Sequence, residues 1–300
     1  APPPPPRVDR RPLRPRLVAA AFVAPVILLL VLVAGFPLVY NVYNSFQHVV
    51  LTEPGTQHFV GFQNYWTALT SPDFHAQFVR TLLFTVVSVA FEMVIGVMLA
   101  LVMHQSFRGR GLVRAAVLVP WAVPTVVSGM LWKTMFDPTS GFVNYGLTLL
   151  HLPGGGTTWL NGIWTSWAAI LIADAWKNTP FIAILLLAGL QIIPDDLYEQ
   201  GRIDGAGTVR RFFYVTLPLL KPAILVALIF RTLQSFLIFD IIYVMTNGGP
   251  GAATESLGFI NVSAFRVQLD FGYGGAISVI LILISVLIAL GYQRVMRPST

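Results

Sequence analysis

The sequence predicts an all-α, polytopic membrane protein with six transmembrane helices, and two observations carry that expectation. The 300 residues are 55% hydrophobic and only 11% charged, against about 25% charged residues in an ordinary soluble domain. The apolar residues also fall in continuous runs long enough to cross a bilayer core of about 30 Å, which takes about 20 residues of helix. Barrel strands would alternate in polarity instead.

The runs predict helices over 17–40, 81–104, 112–136, 163–193, 223–246 and 275–296. Ahead of the first lies "APPPPPRVDRRPLRPR", residues 1–16, a Pro-rich basic segment expected to form an extended, disordered tail. The first run is too long for a cleavable signal and shows no small-residue cleavage site, so a retained helix is expected. With its loop it makes a unit over 17–80, followed by a core transmembrane domain over 81–297.

The net charge of +6 has a membrane explanation rather than a nucleic-acid one. Fourteen of the 19 basic residues fall on one side of a six-span arrangement: Arg7, Arg10, Arg11, Arg14, Arg16, then Arg108, Arg110, Arg114, then Arg202, Arg210, Arg211, Lys221, and finally Arg294 and Arg297. The positive-inside rule then predicts that both termini are cytoplasmic, in a multi-pass protein of the cytoplasmic membrane whose surroundings are lipid.

Most catalytic chemistry is missing from the sequence. No cysteine is present, so thiolate metal sites and cysteine nucleophiles are excluded. The lysines, Lys133, Lys177 and Lys221, follow Trp132, Trp176 and Leu220, which leaves no Gly-Lys-Ser/Thr phosphate loop. His48, His58, His75, His104 and His151 are scattered without a helical pair that would face a metal. No G-x-S-x-G elbow occurs. The chain is therefore expected to bind no metal or cofactor and to hydrolyse no ATP itself.

What remains are ionisable residues inside apolar runs: Glu92, Asp174, Lys177, Arg231 and Asp240. Each costs about 2.5–3.5 kcal/mol near a bilayer centre, so they should face a bundle interior or a wet cavity. Asp174 and Lys177 have the spacing of a helical ion pair, and Glu92 reads as a polar group that packs helices together. Three stretches favour a cavity. In "ADAWKNTPF", Asp174, Lys177, Asn178 and Phe181 share a stripe, and Pro180 frees the carbonyl of Trp176. In "FRTLQSF", Arg231, Gln234 and Ser235 line up at i, i+3 and i+4. In "VPWAVPTV", Pro120 and Pro124 flank Trp121, and opened backbone at membrane depth belongs against protein or a cavity. Aromatic faces beside amides, hydroxyls and a guanidinium suit an uncharged polyhydroxylated ligand.

The segment "YEQGRIDGAGTVRRFFYVTLPLLKP", residues 198–222, lies among the basic loops. Pro194-Asp195-Asp196 starts a short helix with acids at its positive end. The glycines at Gly205 and Gly207 turn the chain back, and residues 194–218 are too many for a simple connection. They predict a docking element.

On Glu199, Gly205, Val215, Leu217 and Pro218 the segment resembles the "EAA" loop of ABC importer permeases. "IPDDLYEQGRIDGAG", "TNGGPG" and "VPWAVPTV" resemble the maltose- and trehalose-type carbohydrate branch, over about 62–297. The resemblance implies a type I importer permease fold and a coupling helix that docks on an ATPase subunit through Glu199, Gln200, Gly201, Asp204, Gly205, Ala206, Gly207, Leu217 and Pro218. Here Gln200-Gly201 replaces the usual Ala-Ala. It also implies sugar-lining positions at Trp121, Trp176, Lys177, Asn178, Phe181, Arg231, Gln234 and Ser235. Its implied partners are a second permease, two ATP-binding subunits that carry ATP and Mg, and an external sugar-binding protein. Trehalose or maltose is the first expectation for the cargo, with a polyol or sugar phosphate as alternatives. An ion-coupled secondary transporter using Asp174, Lys177 and Asp240 is the rival, as is a non-transporting scaffold; the rival transporter leaves the docking segment unexplained.

Overall fold

A computed structural model describes residues 15–295. The expected tail lies outside the described residues except for Pro15 and Arg16, which begin the first helix, and so does Arg297. The chain runs through α1 (Pro15–Leu30), α2 (Phe36–Ser45), a short β1–β2 hairpin (Gln47–His48, His58–Phe59), α3 (Gln63–Thr70) and α4 (Pro72–His104). Then come α5 (Arg110–Ala122), α6 (Thr125–Met135), α7 (Phe142–Leu149), α8 (Ile163–Leu190) and α9 (Asp195–Ile203). The rest is α10 (Thr208–Arg211), α11 (Leu217–Phe236), α12 (Asp240–Met245), α13 (Leu257–Arg266) and α14 (Phe271–Val295). Among the described residues five helical stretches are long and apolar enough to cross a membrane, and the bent pair α5–α6 makes a sixth if it is one span.

Two of the spans contain a wide turn placed by proline. Val31–Gly35 joins α1 to α2 and Phe212–Thr216 joins α10 to α11 as π-helix. Each turn stands just ahead of a proline, Pro37 and Pro218. A proline lacks the N–H for its own helical bond and pushes on the carbonyl four residues back, and the i→i+5 bonds Phe36 to Val31 and Leu217 to Phe212 absorb that displacement without ending the helix.

The fifth span corrects the sequence expectation at both ends. It starts at Thr208 and ends at Phe236, where 223–246 was expected. At its far end the apolar run continues, but the chain leaves the helix after Phe236 and restarts as α12. The carbonyl of Ile238, freed there, accepts from Ser256 Oγ at 2.5 Å. Asp240 thus opens a short helix and is exposed, not embedded in a span. The third span is bent by 94° at Val123–Pro124, as two close prolines and a lost donor require.

The centre is made by α8, wrapped by α4, α5, α6 and α11. α4 starts sharply, with Ser71 Oγ accepting from Phe74 N, Pro72 at the first position and Asp73 in the first turn. Small residues of α8, Ala169, Ala173 and Ala183, are fully buried and let the flanking helices approach closely, beside Ile170, Ile182 and Leu186. Phe236, Leu257 and Ile277 form a further cluster between α11, α13 and α14.

Candidate functional site

At the middle of the bundle α4, α8 and α11 each contribute an ionisable residue to one buried network. Arg231, 2% exposed, donates from Nε and one Nη to the two oxygens of Glu92 and from the same Nη to Asp174. Ser88 Oγ lies between Glu92 at 2.9 Å and Asp174 at 3.1 Å, with its one hydrogen to donate to either. Asn178 Nδ2 donates to the other Asp174 oxygen at 2.8 Å. A buried guanidinium is tolerated only when countercharges and hydrogen bonds offset its desolvation, and here Nε and one Nη close against two carboxylates. Arg231 therefore ties three helices together.

The expected Asp174–Lys177 ion pair does not form. Asp174 is turned into the network, while Lys177 Nζ donates to the carbonyl of Val123 at 2.9 Å and reaches that of Trp121 at 3.5 Å. Those carbonyls belong to the end of α5, where the helix breaks at Pro124. A cation there answers both the freed acceptors and the negative end of the helix dipole.

Beside this break lies a surface of aromatic and amide groups. Trp121, 48% exposed, stacks on Phe181 at 5.8 Å and 17°, and Phe181 meets Phe230 of α11 edge-on at 6.4 Å. Phe230 and Gln234 lie one turn apart and both are exposed, whereas Arg231 and Ser235 are buried. The structure thus brings Trp121, Lys177, Asn178, Phe181 and Gln234 to this side and sends Arg231 inward. Ser235 Oγ has no hydrogen-bond partner. Trp176 sits on the opposite side of α8, edge-on to Trp132 at 5.8 Å, in an apolar pocket of 300 Å³ with Phe91, Val117 and Pro120. Phe230 was missed in the sequence, although its position one turn before Gln234 could have shown it.

The second region is the connection after α8. α9 carries Asp195 and Asp196 in its first turn and ends in a Schellman motif: Ala206 N donates to Gly201 O at 2.8 Å and Gly205 N to Arg202 O at 3.0 Å. Gly205 has φ +74°, a conformation costly for any residue with a Cβ. Leu197 and Tyr198 pack inward, and Tyr198 Oη pairs with Thr216 Oγ1 at 3.2 Å, tying α9 to the base of the fifth span. The outward stripe is Asp196, Gln200 and Ile203, the last 86% exposed, with Ile192 just before the helix 81% exposed. Glu199 shares the stripe of Asp195 and Arg202, which lines a cavity under the helix. Asp204 and Gly207 are exposed around the turn, Ala206 is half-buried, and Leu217 and Pro218 begin α11. The exposed Ile192 and Ile203 escaped the sequence reading, though two isoleucines around a polar helix are a visible signal.

The departure at Gly201 has a structural counterpart. A Cβ there would lie 3.2–3.3 Å from the side-chain stem of Arg211, so glycine lets that stem cross α9 closely.

A broken span, charged and polar groups buried between apolar spans and a capped helix at one end of the bundle are features of a multi-span membrane protein. The chain belongs to the family of binding-protein-dependent transport system inner membrane components, which it matches over residues 92–299. It is 43% identical over 239 residues to the trehalose/maltose transport system permease protein of Thermococcus litoralis, covering 80% of each chain. It is 39% identical to the sulfoquinovosyl glycerol transport system permease protein of Agrobacterium fabrum, over 95% of this chain and 92% of the other. In fold it resembles a bacterial ABC transporter involved in the import of the acidic polysaccharide alginate, with a TM-score of 0.82 at 20% identity over 96% of this chain and 97% of that one. The type I importer permease fold follows.

Proposed function

We propose that this chain is one of two permease subunits, paired with a different chain, in an ATP-driven importer that moves an uncharged sugar, with trehalose or maltose as the first candidates. An external binding protein delivers the sugar, and two partner subunits bind ATP and Mg and hydrolyse the ATP. The termini and α9 face the cytoplasm, in accord with the basic residues of that side.

The observation that carries the sugar reading is the surface at the α5–α6 break. Trp121, Phe181 and Phe230 offer faces for apolar sugar rings, Gln234 offers an amide for hydroxyls, and Asn178, its Nδ2 held by Asp174, offers its amide oxygen. The charges nearby are already answered: Arg231 by two carboxylates and Lys177 by backbone carbonyls. A neutral ligand meets such a surface without stranding a charge. The name of the Thermococcus litoralis relative supports the α-linked disaccharide, and that of the Agrobacterium fabrum relative marks the range of sugars that similar chains carry. At the other end, Ile192 and Ile203 give the outward face of α9 an apolar grip for an ATPase subunit, and the Schellman turn and Tyr198–Thr216 contact pass its movement to the fifth span.

The reading is tested by reconstituting the importer with its partner subunits and measuring uptake of labelled trehalose against a panel of neutral and anionic sugars. Competition by maltose and none by a sugar phosphate is expected. Preferential uptake of an anionic sugar would overturn the neutral-ligand reading.

A further inference from the structure

The cavity beneath α9 measures 710 Å³ and is entered by side chains from four elements: His104 and Gln105 at the end of α4, Asp195, Glu199 and Arg202 on α9, and Thr208 and Arg211 on α10, above Leu190 of α8. Among the described residues the ion pairs are those of His48 with Glu53 and of Arg231 with Glu92 and Asp174. Arg202 and Arg211 take part in none. Arg211 Nε is buried without a hydrogen-bond partner, and its Nη2 makes only a 3.4 Å contact with Thr208 Oγ1. The Arg211 stem passes close over Gly201, where a Cβ would lie 3.2–3.3 Å from it. Thr208 opens a helical stretch of 29 residues with no side-chain cap, so its first-turn amides lack intrahelical partners and favour an anion.

A second cavity adjoins the first. It measures 470 Å³, is lined by Met93, Val94, Val97, Met98, Leu101 and Phe212, and shares Leu101 and Phe212 with the cavity under α9. It is apolar and runs along the outer side of α4, where Val94 and Met98 are exposed. A polar cavity with an unused guanidinium thus continues into an apolar groove at the end of the bundle.

We infer that this junction binds a phospholipid with a zwitterionic, ethanolamine-type headgroup. Its phosphate meets Arg202, Arg211, Thr208 and the start of the fifth span. Its ammonium meets Asp195 or Glu199, and an acyl chain lies in the groove along α4. The balance of charges selects this headgroup: two guanidiniums answer the phosphate, while two carboxylates would repel a purely anionic headgroup and welcome an ammonium. Such a lipid would brace α9 against α4 and α10.

The test is native mass spectrometry of the full chain, delipidated in detergent and titrated with phosphatidylethanolamine, phosphatidylglycerol or soluble glycerophosphoethanolamine. Phosphatidylethanolamine should be retained in preference to the other two. Arg211→Gln should lower its retention about tenfold, the loss of a charge-assisted hydrogen bond, and Val97→Trp, which fills the groove and leaves the headgroup cavity intact, should do the same. Arg210→Gln should change nothing, because Arg210 lies over the ring of Tyr214. Equal retention by wild type and both cavity variants would overturn the site. Soluble glycerophosphoethanolamine bound as tightly as the lipid, and unaffected by Val97→Trp, would show a free phosphate-ester site instead. Preference for phosphatidylglycerol would overturn the headgroup assignment.

Discussion

Two arginines of the fifth span stand in opposite situations. Arg231, at the bundle centre, is buried and spends its guanidinium on Glu92, Asp174 and Ser88. Arg211, near the start of the same span, leaves Nε unused beside a cavity. The difference is one of depth. Far from water a charge without a countercharge is prohibitive, so the chain supplies two carboxylates itself; near the bundle's end a guanidinium can wait for a partner from outside. Burial against two countercharges marks a residue that holds the bundle together, and only the second kind of arginine is available to a ligand.

The sharpest way to break this contrast is at Arg231. Arg231→Leu strands Glu92 and Asp174 without a countercharge, a loss of about 3–5 kcal/mol. Yield of extracted protein and its thermal unfolding should both collapse. Adding Glu92→Gln and Asp174→Asn to that variant should recover most of the yield; unchanged folding of Arg231→Leu alone would show the network to be dispensable.

A smaller effect is expected at the other end of the same span. Gly205→Val forces a β-branched residue to φ +74°, at about 1–2 kcal/mol, but only in an exposed turn. Membrane insertion and yield should stay near normal while sugar-stimulated ATPase activity of the assembled importer falls several-fold. Normal stimulation would separate α9 from coupling.

The smallest effect concerns Glu255, in the loop before α13, which accepts from Gln77 Nε2 at 2.7 Å. Burial pushes its carboxyl above the ordinary carboxylate range, against that bond and the pull of Arg80. A raised folded value means that the folded state favours the protonated form, so the carboxyl's contribution to stability is fully present below the ordinary Glu value and declines as pH rises through the raised one. Glu255→Gln should flatten the pH dependence of thermal unfolding above the ordinary Glu value, where the raised carboxyl titrates. An unchanged slope would remove Glu255 from that titration.

Much of this architecture was legible in sequence because bilayer thickness and proline act locally. The six apolar runs needed only their length, and the bend of the third followed from Pro120 and Pro124. The turn at Gly205 followed from glycine closing a short helix. What escaped depended on which neighbour each face meets. The fifth run looked like one helix to Thr246, and only the carbonyl of Ile238, taken by Ser256 from a distant segment, shows why it stops at Phe236. Asp174 had a lysine at ion-pair spacing, yet an arginine on another helix and the broken end of α5 were better partners for the two. Trp176 and Asn178 are two positions apart, and two positions are enough to put them on opposite sides of α8.

The central claim is that the aromatic and amide surface at the α5–α6 break carries the sugar while Arg231 only holds the helices. Trehalose uptake by the reconstituted importer, measured beside the yield of extracted complex for Trp121→Ala, Gln234→Ala and Trp176→Ala, tests it most directly. The account predicts normal yield throughout, a loss of uptake of about tenfold for Trp121→Ala and several-fold for Gln234→Ala, each from contacts worth about 0.5–1.5 kcal/mol, and little loss for Trp176→Ala. Normal uptake by both Trp121→Ala and Gln234→Ala, or a fall in uptake that only follows a fall in yield, would contradict it.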